Sequence, residues 1–299
     1  MKEVLVLHTG GTIGMAPGPN GLTPASGVLE QAVEILAPDG VRLSVHTFDP
    51  LVDSAEIGAD HWNRLIDLIA PFRGRGVIVT HGTDTMAFTG AALTQALAGF
   101  DRPIILCGAM NPLNTGGDAE ANLARAIDAA LTAAPGVWLA FAGRLLPAAG
   151  LVKHDTQGED SFRSVPQDGP AATDGFAPRR FGRPRLAILT LSPGVPAGAI
   201  SAALAELDGA VLRVFGAGTV MSDAGLEQAL ATATARGCRI RAVSQCESGG
   251  LAPGAYAAGA ALWRAGVENG GNETPEAALI RLWLDLSEPS GPGGTSRMP

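Results

Sequence analysis

Residues 2–14 read KEVLVLHTGGTIG and residues 77–86 read VIVTHGTDTM. Each is a short apolar, β-branched run that stops at glycine, hydroxyl and charged residues. A run of this length without polar alternation predicts a strand buried on both faces, which is how strands of a helix-covered parallel sheet read.

The form recurs at 42–48, 104–107 and 137–142, with helical patterns at 28–36, 61–72, 84–97 and 119–131 between the strands. Met86, Gly90, Leu93 and Leu97 fall on one helical face. From 163 to 183 the pattern lapses into a stretch rich in Pro, Gly and charge, then restarts with strands at 186–190, 210–214 and 240–244 and helices at 199–207, 224–235, 256–265 and 275–286. The expectation is an α/β fold with a larger N-terminal parallel-sheet domain (1–163), a linker (164–184), a smaller C-terminal flavodoxin-like α/β domain (185–289) and a disordered tail (290–299).

A chain of 299 residues with 46% hydrophobic content can bury a substantial core, and its formal charge of −8 without a basic run argues against a nucleic-acid partner. No apolar stretch is long enough for a membrane span or a signal-peptide core, so a cytoplasmic location is expected. Cys107, Cys238 and Cys246 lack CxxC spacing and read as buried small hydrophobes. His8, His46, His61, His81 and His154 lack metal-ligand spacing, so no metal is expected; His61 reads as exposed, and His81 as a residue able to line a pocket.

In parallel α/β sheets ligands bind beyond the carboxyl ends of the strands. Four such loops are polar here: 8–14, 49–54, 81–85 and the loop leading to Lys153. The Gly10-Gly11-Thr12 turn suits a hydroxyl nucleophile beside backbone N–H groups. It also suits a tight turn with a Thr cap, or a phosphate site; a dinucleotide fold lacks its third glycine here. Thr83 and Asp84 set a hydroxyl beside a carboxylate, in a place where either could also cap a helix. Lysine occurs only at Lys2 and Lys153 among 21 basic residues, and an amine can give up a proton where a guanidinium cannot. The Gly/Pro-rich segment 14–27 reads as a flexible lid beside Thr12, or as a surface excursion.

These residues resemble the bacterial-type L-asparaginase/glutaminase family, including its cytoplasmic branch. The matching segments are 9–14 (TGGTIG), 81–86 (HGTDTM), 108–110 (GAM), 118–122 (DAEAN), Lys153 through Thr156 to 162–164 (FRS), 244–246 (SQC) and 274–278 (TPEAA). The spacing from Gly143-Arg144 to Lys153 is that of the cytoplasmic branch. The resemblance implies hydrolysis of L-asparagine through a Thr12 acyl-enzyme, with Thr83, Asp84 and Lys153 handling protons. It places Gly11, Asp53, Ser54, Gly82, Thr83 and Asp84 around the substrate, needs no cofactor or metal, and implies a homodimer or homotetramer.

Three positions depart from the family. Leu22 stands where many members carry a lid Tyr that hydrogen-bonds the nucleophile, Ala55 where Ser or Gln is usual, and Thr219 where Asn is common; the single Tyr, Tyr256, lies in the second half. A glutamine or D-asparagine amidase and a weakly active or non-catalytic amino-acid sensor remain as alternatives. The ammonia-releasing subunit of a tRNA-dependent amidotransferase shares the pattern but carries an additional N-terminal region, whereas Thr12 here comes near the start.

Overall fold

The apolar runs become strands, and the alternation with helices is the one their spacing predicts. The computed structural model describes residues 1–19, 21–168 and 175–288; the expected tail, and part of the expected linker, lie outside these. The chain divides into two units, residues 1–179 and residue 180 onward.

In the first unit the elements run β1 (Lys2–His8), β2 (Met15–Gly18), β3 (Gly21–Pro24), α1 (Val28–Leu36), β4 (Val41–Thr47), α2 (Ala59–Ile69), β5 (Gly76–Thr80), α3 (Met86–Ala96), β6 (Pro103–Cys107), α4 (Ala119–Thr132), β7 (Gly136–Phe141), β8 (Arg144–Pro147), β9 (Leu151–Lys153) and β10 (Phe162–Ser164). The main sheet has the order β4-β1-β5-β6-β7-β8. Strands β4 to β7 pair in parallel through β1, and β8 closes the edge antiparallel to β7. The chain leaves β1 for β4 on one side and then for β5 on the other. The loops after β1 and β5 therefore flank the point where strand order reverses, which opens a crevice between them.

Every residue of β5 and β6 is buried. On one face Val4, Val6, Ile78 and Ile105 pack with Leu29 and Val33 of α1 and Leu123 and Ile127 of α4. Helix α3 is apolar nearly all round, as befits a helix covered on both sides. Its outer side carries the 3-10 turn Ala148–Gly150 and β9. A Cβ at Gly90 would come within 2.7 Å of the Ala148 carbonyl, so the glycine lets this covering segment lie directly on the helix. The antiparallel β9–β10 hairpin that follows thereby brings Lys153 back over the start of α3.

The segment after Thr12, read above as a flexible lid or a surface excursion, contains a hairpin. β2 and β3 pair antiparallel, with Pro17 opposite Leu22. Leu22 is 46% exposed on it.

In the second unit β11 (Leu186–Thr190), β12 (Gly209–Val214), β13 (Arg239–Ser244) and β14 (Glu268–Asn269) form a parallel sheet in chain order, with α5 (Ala197–Glu206), α6 (Ala224–Ala235), α7 (Ala260–Arg264) and α8 (Pro275–Ser287). Its core joins Leu204, Leu212, Leu230 and Ile240. α8 starts where Thr274 caps it, the Thr hydroxyl accepting the Ala277 N–H, with Pro275 in the first turn. The helix expected over 256–265 is instead a 3-10 turn followed by the short α7. Cys107 and Cys238 are buried as expected, but Cys246 is exposed. Among the described residues no helix is long and apolar enough to cross a membrane.

Candidate active site

The loop after β1, which carries Thr12, is held by its neighbours from both sides. Gly10 and Gly11 take φ of 134° and 90°, values that favour glycine. Val52 N–H donates to the Thr9 carbonyl at 2.8 Å, tying the 49–54 loop to the loop after β1. On its other side Gly11 lies against Gly82, and a Cβ there would fall 2.4 Å from the Gly82 nitrogen. Gly11→Ala therefore meets both a forbidden φ and a backbone clash. It is expected to lower unfolding free energy by about 3 kcal/mol or more, read by chemical denaturation.

Thr12 opens the short 3-10 turn Thr12–Gly14 and is half-buried. Beneath it, Thr9 donates its hydroxyl to the Thr80 carbonyl at 2.7 Å, and the His8 ring contacts the Thr80 hydroxyl through Nδ1 at 2.7 Å. Burial holds the His8 imidazole below its usual pKa against the opposing charge of Glu30.

Gly82 is equally confined by Ser54: a Cβ on Gly82 would lie 2.6 Å from the Ser54 hydroxyl oxygen. Ser54 is buried, and its carbonyl accepts the Thr85 hydroxyl at 2.6 Å. Asp53 caps the turn Ser54–Glu56, taking the Ala55 N–H at 2.9 Å, and is exposed. The segments around Gly11, Ser54 and Gly82 thus meet at one place. Beside them lies a cavity of about 320 Å³ lined by Gly11, Met15, Leu22, Leu51 and Asp53 among others.

Lys153, some seventy residues downstream, closes the group. Its ammonium donates to the Thr83 hydroxyl at 2.9 Å and to Asp84 Oδ1 at 2.6 Å. The Lys153 side chain is 17% exposed and that of Asp84 is 73% exposed, so the amine is sheltered while the carboxylate faces solvent. A hydroxyl held by an amine in this way can pass a proton in either direction.

Sequence reasoning did not single out the brace behind this group. The Asp118 carboxylate, at the start of α4, accepts the Met110 N–H at 2.9 Å and the Asn111 N–H at 2.9 Å. Asn122 donates to the Gly108 carbonyl at 3.0 Å and accepts the Ala142 N–H at 3.0 Å. Together they fix the loops after β6 and β7. Burial, with the Asp118 charge adding to it, pushes the nearby Cys107 thiol up to about 12, so it stays protonated. Asp118→Ala removes the acceptor of the half-buried Met110 N–H and of the Asn111 N–H and is expected to cost about 1–2 kcal/mol of stability, the lower part of the range for an unpaired donor because water reaches Asn111; thermal unfolding measures it.

Two histidines sit differently from expectation. His61 is half-buried, its Nδ1 3.4 Å from the Gly58 nitrogen. His81 is fully buried and does not line the crevice.

Comparison with known proteins agrees with this architecture. Residues 3–176 match the family described as Asparaginase, N-terminal, and residues 185–295 the Glutaminase/Asparaginase C-terminal domain. The chain is 31% identical to L-asparaginase 1 of Escherichia coli K12, over 96% of this chain and 92% of that protein. The structure resembles L-asparaginase I of Vibrio cholerae (28% identity, TM-score 0.84) and the thermostable L-asparaginase of Thermococcus kodakarensis (27%, 0.82), in both cases over 96% of this chain and 93% of the other. A crevice at the strand-order reversal, the family match over both units and the likeness to solved asparaginases lead to one assignment: the chain belongs to the asparaginase family of amidohydrolases.

Proposed function

We propose that the protein hydrolyses L-asparagine to L-aspartate and ammonia, with Thr12 as the nucleophile. The Thr12 hydroxyl attacks the side-chain amide carbon as its proton passes, by way of the Thr83 hydroxyl, to Lys153 in its neutral amine form, which becomes the ammonium. The tetrahedral intermediate collapses as the C–N bond breaks, and the leaving nitrogen takes a proton to depart as ammonia. Water then attacks the Thr12 ester, releasing aspartate and restoring the hydroxyl. Gly11 and Gly82 let the loops after β1 and β5 close together beside the substrate, Asp84 takes the α-amino group, and Asp53 with Ser54 holds the α-carboxylate end.

The observation that supports this best is the Lys153 ammonium shared between Thr83 and Asp84. In a chain with only two lysines, an amine placed against a hydroxyl at the crevice has the chemistry that amide cleavage requires. A homodimer or homotetramer and a cytoplasmic location belong to the same proposal, and sedimentation velocity checks the assembly.

The test is ammonia release from L-Asn, D-Asn, L-Gln and β-aspartyl amides by the purified protein at neutral pH. L-Asn as the best substrate supports the reading. A preference for L-Gln or D-Asn would replace the substrate but keep the chemistry, since one methylene is worth only about 1–3 kcal/mol in a pocket. A second reading, an amino-acid sensor with little turnover, is favoured by Leu22: a half-exposed hydrocarbon on the hairpin offers Thr12 no hydrogen bond. Tight aspartate binding without ammonia release would establish it.

A further inference from the structure

His81 is a fully buried titratable side chain that the proposed chemistry does not use. Its Nδ1 lies 2.6 Å from the Gly82 carbonyl oxygen, and its Nε2 lies 2.8 Å from the Thr89 hydroxyl. A carbonyl only accepts, so Nδ1 carries the proton and donates. In the neutral ring Nε2 must then accept, and Thr89 supplies its hydroxyl hydrogen. The Thr89 oxygen in turn receives the Trp62 indole N–H at 3.0 Å. The chain runs in one direction, from Trp62 through Thr89 and His81 to Gly82, and this direction selects a single tautomer. Burial holds the imidazole down to about 4, which keeps the ring neutral at ordinary pH.

The receiving carbonyl belongs to the peptide between Gly82 and Thr83. A trans peptide is planar, with its C=O and N–H pointing in opposite directions. Fixing the Gly82 oxygen on the buried ring therefore also fixes the direction of the Thr83 N–H, on the opposite side of that plane. The same residue, Gly82, is the one on which Gly11 and Ser54 press. Left without the ring, the Gly82–Thr83 peptide has no Cβ at Gly82 to limit its rotation.

We propose that His81 is a positioning residue for the hydrolysis: its Nδ1–H, set by the Thr89–Trp62 relay, clamps the Gly82 carbonyl and so aims the Thr83 N–H and hydroxyl at the reacting amide. The proposal rests on the amidohydrolase reading of this site. It assigns the ring an effect on turnover rather than on substrate affinity, because a misaimed donor is missed most when charge develops on the amide oxygen.

The test uses the full-length protein. His81→Ala is expected to lower kcat for L-asparagine about tenfold with KM changed less than about twofold. His81→Asn, whose amide N–H can stand where Nδ1–H stood, is expected to recover most of that loss. ¹⁵N NMR of the wild-type ring is expected to show a neutral, Nδ1-protonated imidazole from pH 5 to 8. A folded His81→Ala with wild-type kcat overturns the proposal. So does an Nε2-protonated ring, or a loss in His81→Ala that lies in KM and is not rescued by Asn. Should His81→Ala fail to fold, the Asn variant and the NMR signature still decide. A wild type that cleaves no amide removes the hydrolytic reading itself, whereas active wild type with an unaffected His81→Ala removes only the role of His81.

Discussion

Thr12→Ala is expected to abolish ammonia release from L-asparagine, by on the order of 10³-fold or more, while leaving the fold and aspartate binding intact. The size follows from the role. Without the hydroxyl no ester can form, and only direct attack by water remains, helped by whatever the backbone donors contribute. Stability should change little, because Thr12 is half-buried and its turn is shaped by Gly10 and Gly11. A coupled ammonia assay, a thermal melt and aspartate binding on the same preparation check all three statements. Substantial residual turnover would move the nucleophile elsewhere, Thr83 being the next hydroxyl in the site.

Lys153→Met is expected to lower kcat by roughly 10²–10⁴-fold, the range for loss of a general acid–base group. Its effect on stability should stay below about 1 kcal/mol, because Asp84 is largely exposed and water can replace the amine there. Lys153→Arg should be nearly as inactive, since a guanidinium keeps the charge beside Asp84 but does not release a proton at working pH. If arginine restored turnover, the residue would be acting as a fixed positive charge, and proton transfer would have to be assigned to another group.

Much of the site was legible in the sequence, because in a parallel sheet position along the chain predicts position in space. Residues after β1 and β5 must lie at the same end of the sheet, so Thr12 and Thr83 were candidates from their strand ends, with a helix cap or tight turn as the other reading, and the family resemblance supplied their roles. Lys153 stood out by rarity. What could not be read was how it arrives: β9 and β10 are three residues each, too short to show a period, and their approach depends on Gly90 lying under Ala148. The hairpin β2–β3 was hidden by its own glycine and prolines, which read as a loop until the pairing of Pro17 with Leu22 is seen.

His81 shows the same limit more sharply. The residue sits inside the most legible motif of the chain, yet its partners are Thr89 one helix on and Trp62 on a different helix. Nothing in their spacing announces that a relay passes through them. Asp118 and Asn122 stand out in sequence only as parts of a matching motif; their work of tying down two loops is seen in backbone N–H groups that carry no sequence signature.

The sequence by itself determined the α/β alternation, the strand ends that bear the polar loops, and the hydroxyl, carboxylate and amine groups those loops carry. These depend on local hydrophobic period and on side-chain chemistry, both of which are carried residue by residue. Only the tertiary structure decided which hydroxyl the lysine meets, which glycine each loop presses on, and which groups the two ring nitrogens of His81 meet. Those are properties of contacts between distant segments, and a hydrogen bond is settled by tenths of an ångström that no spacing along the chain records.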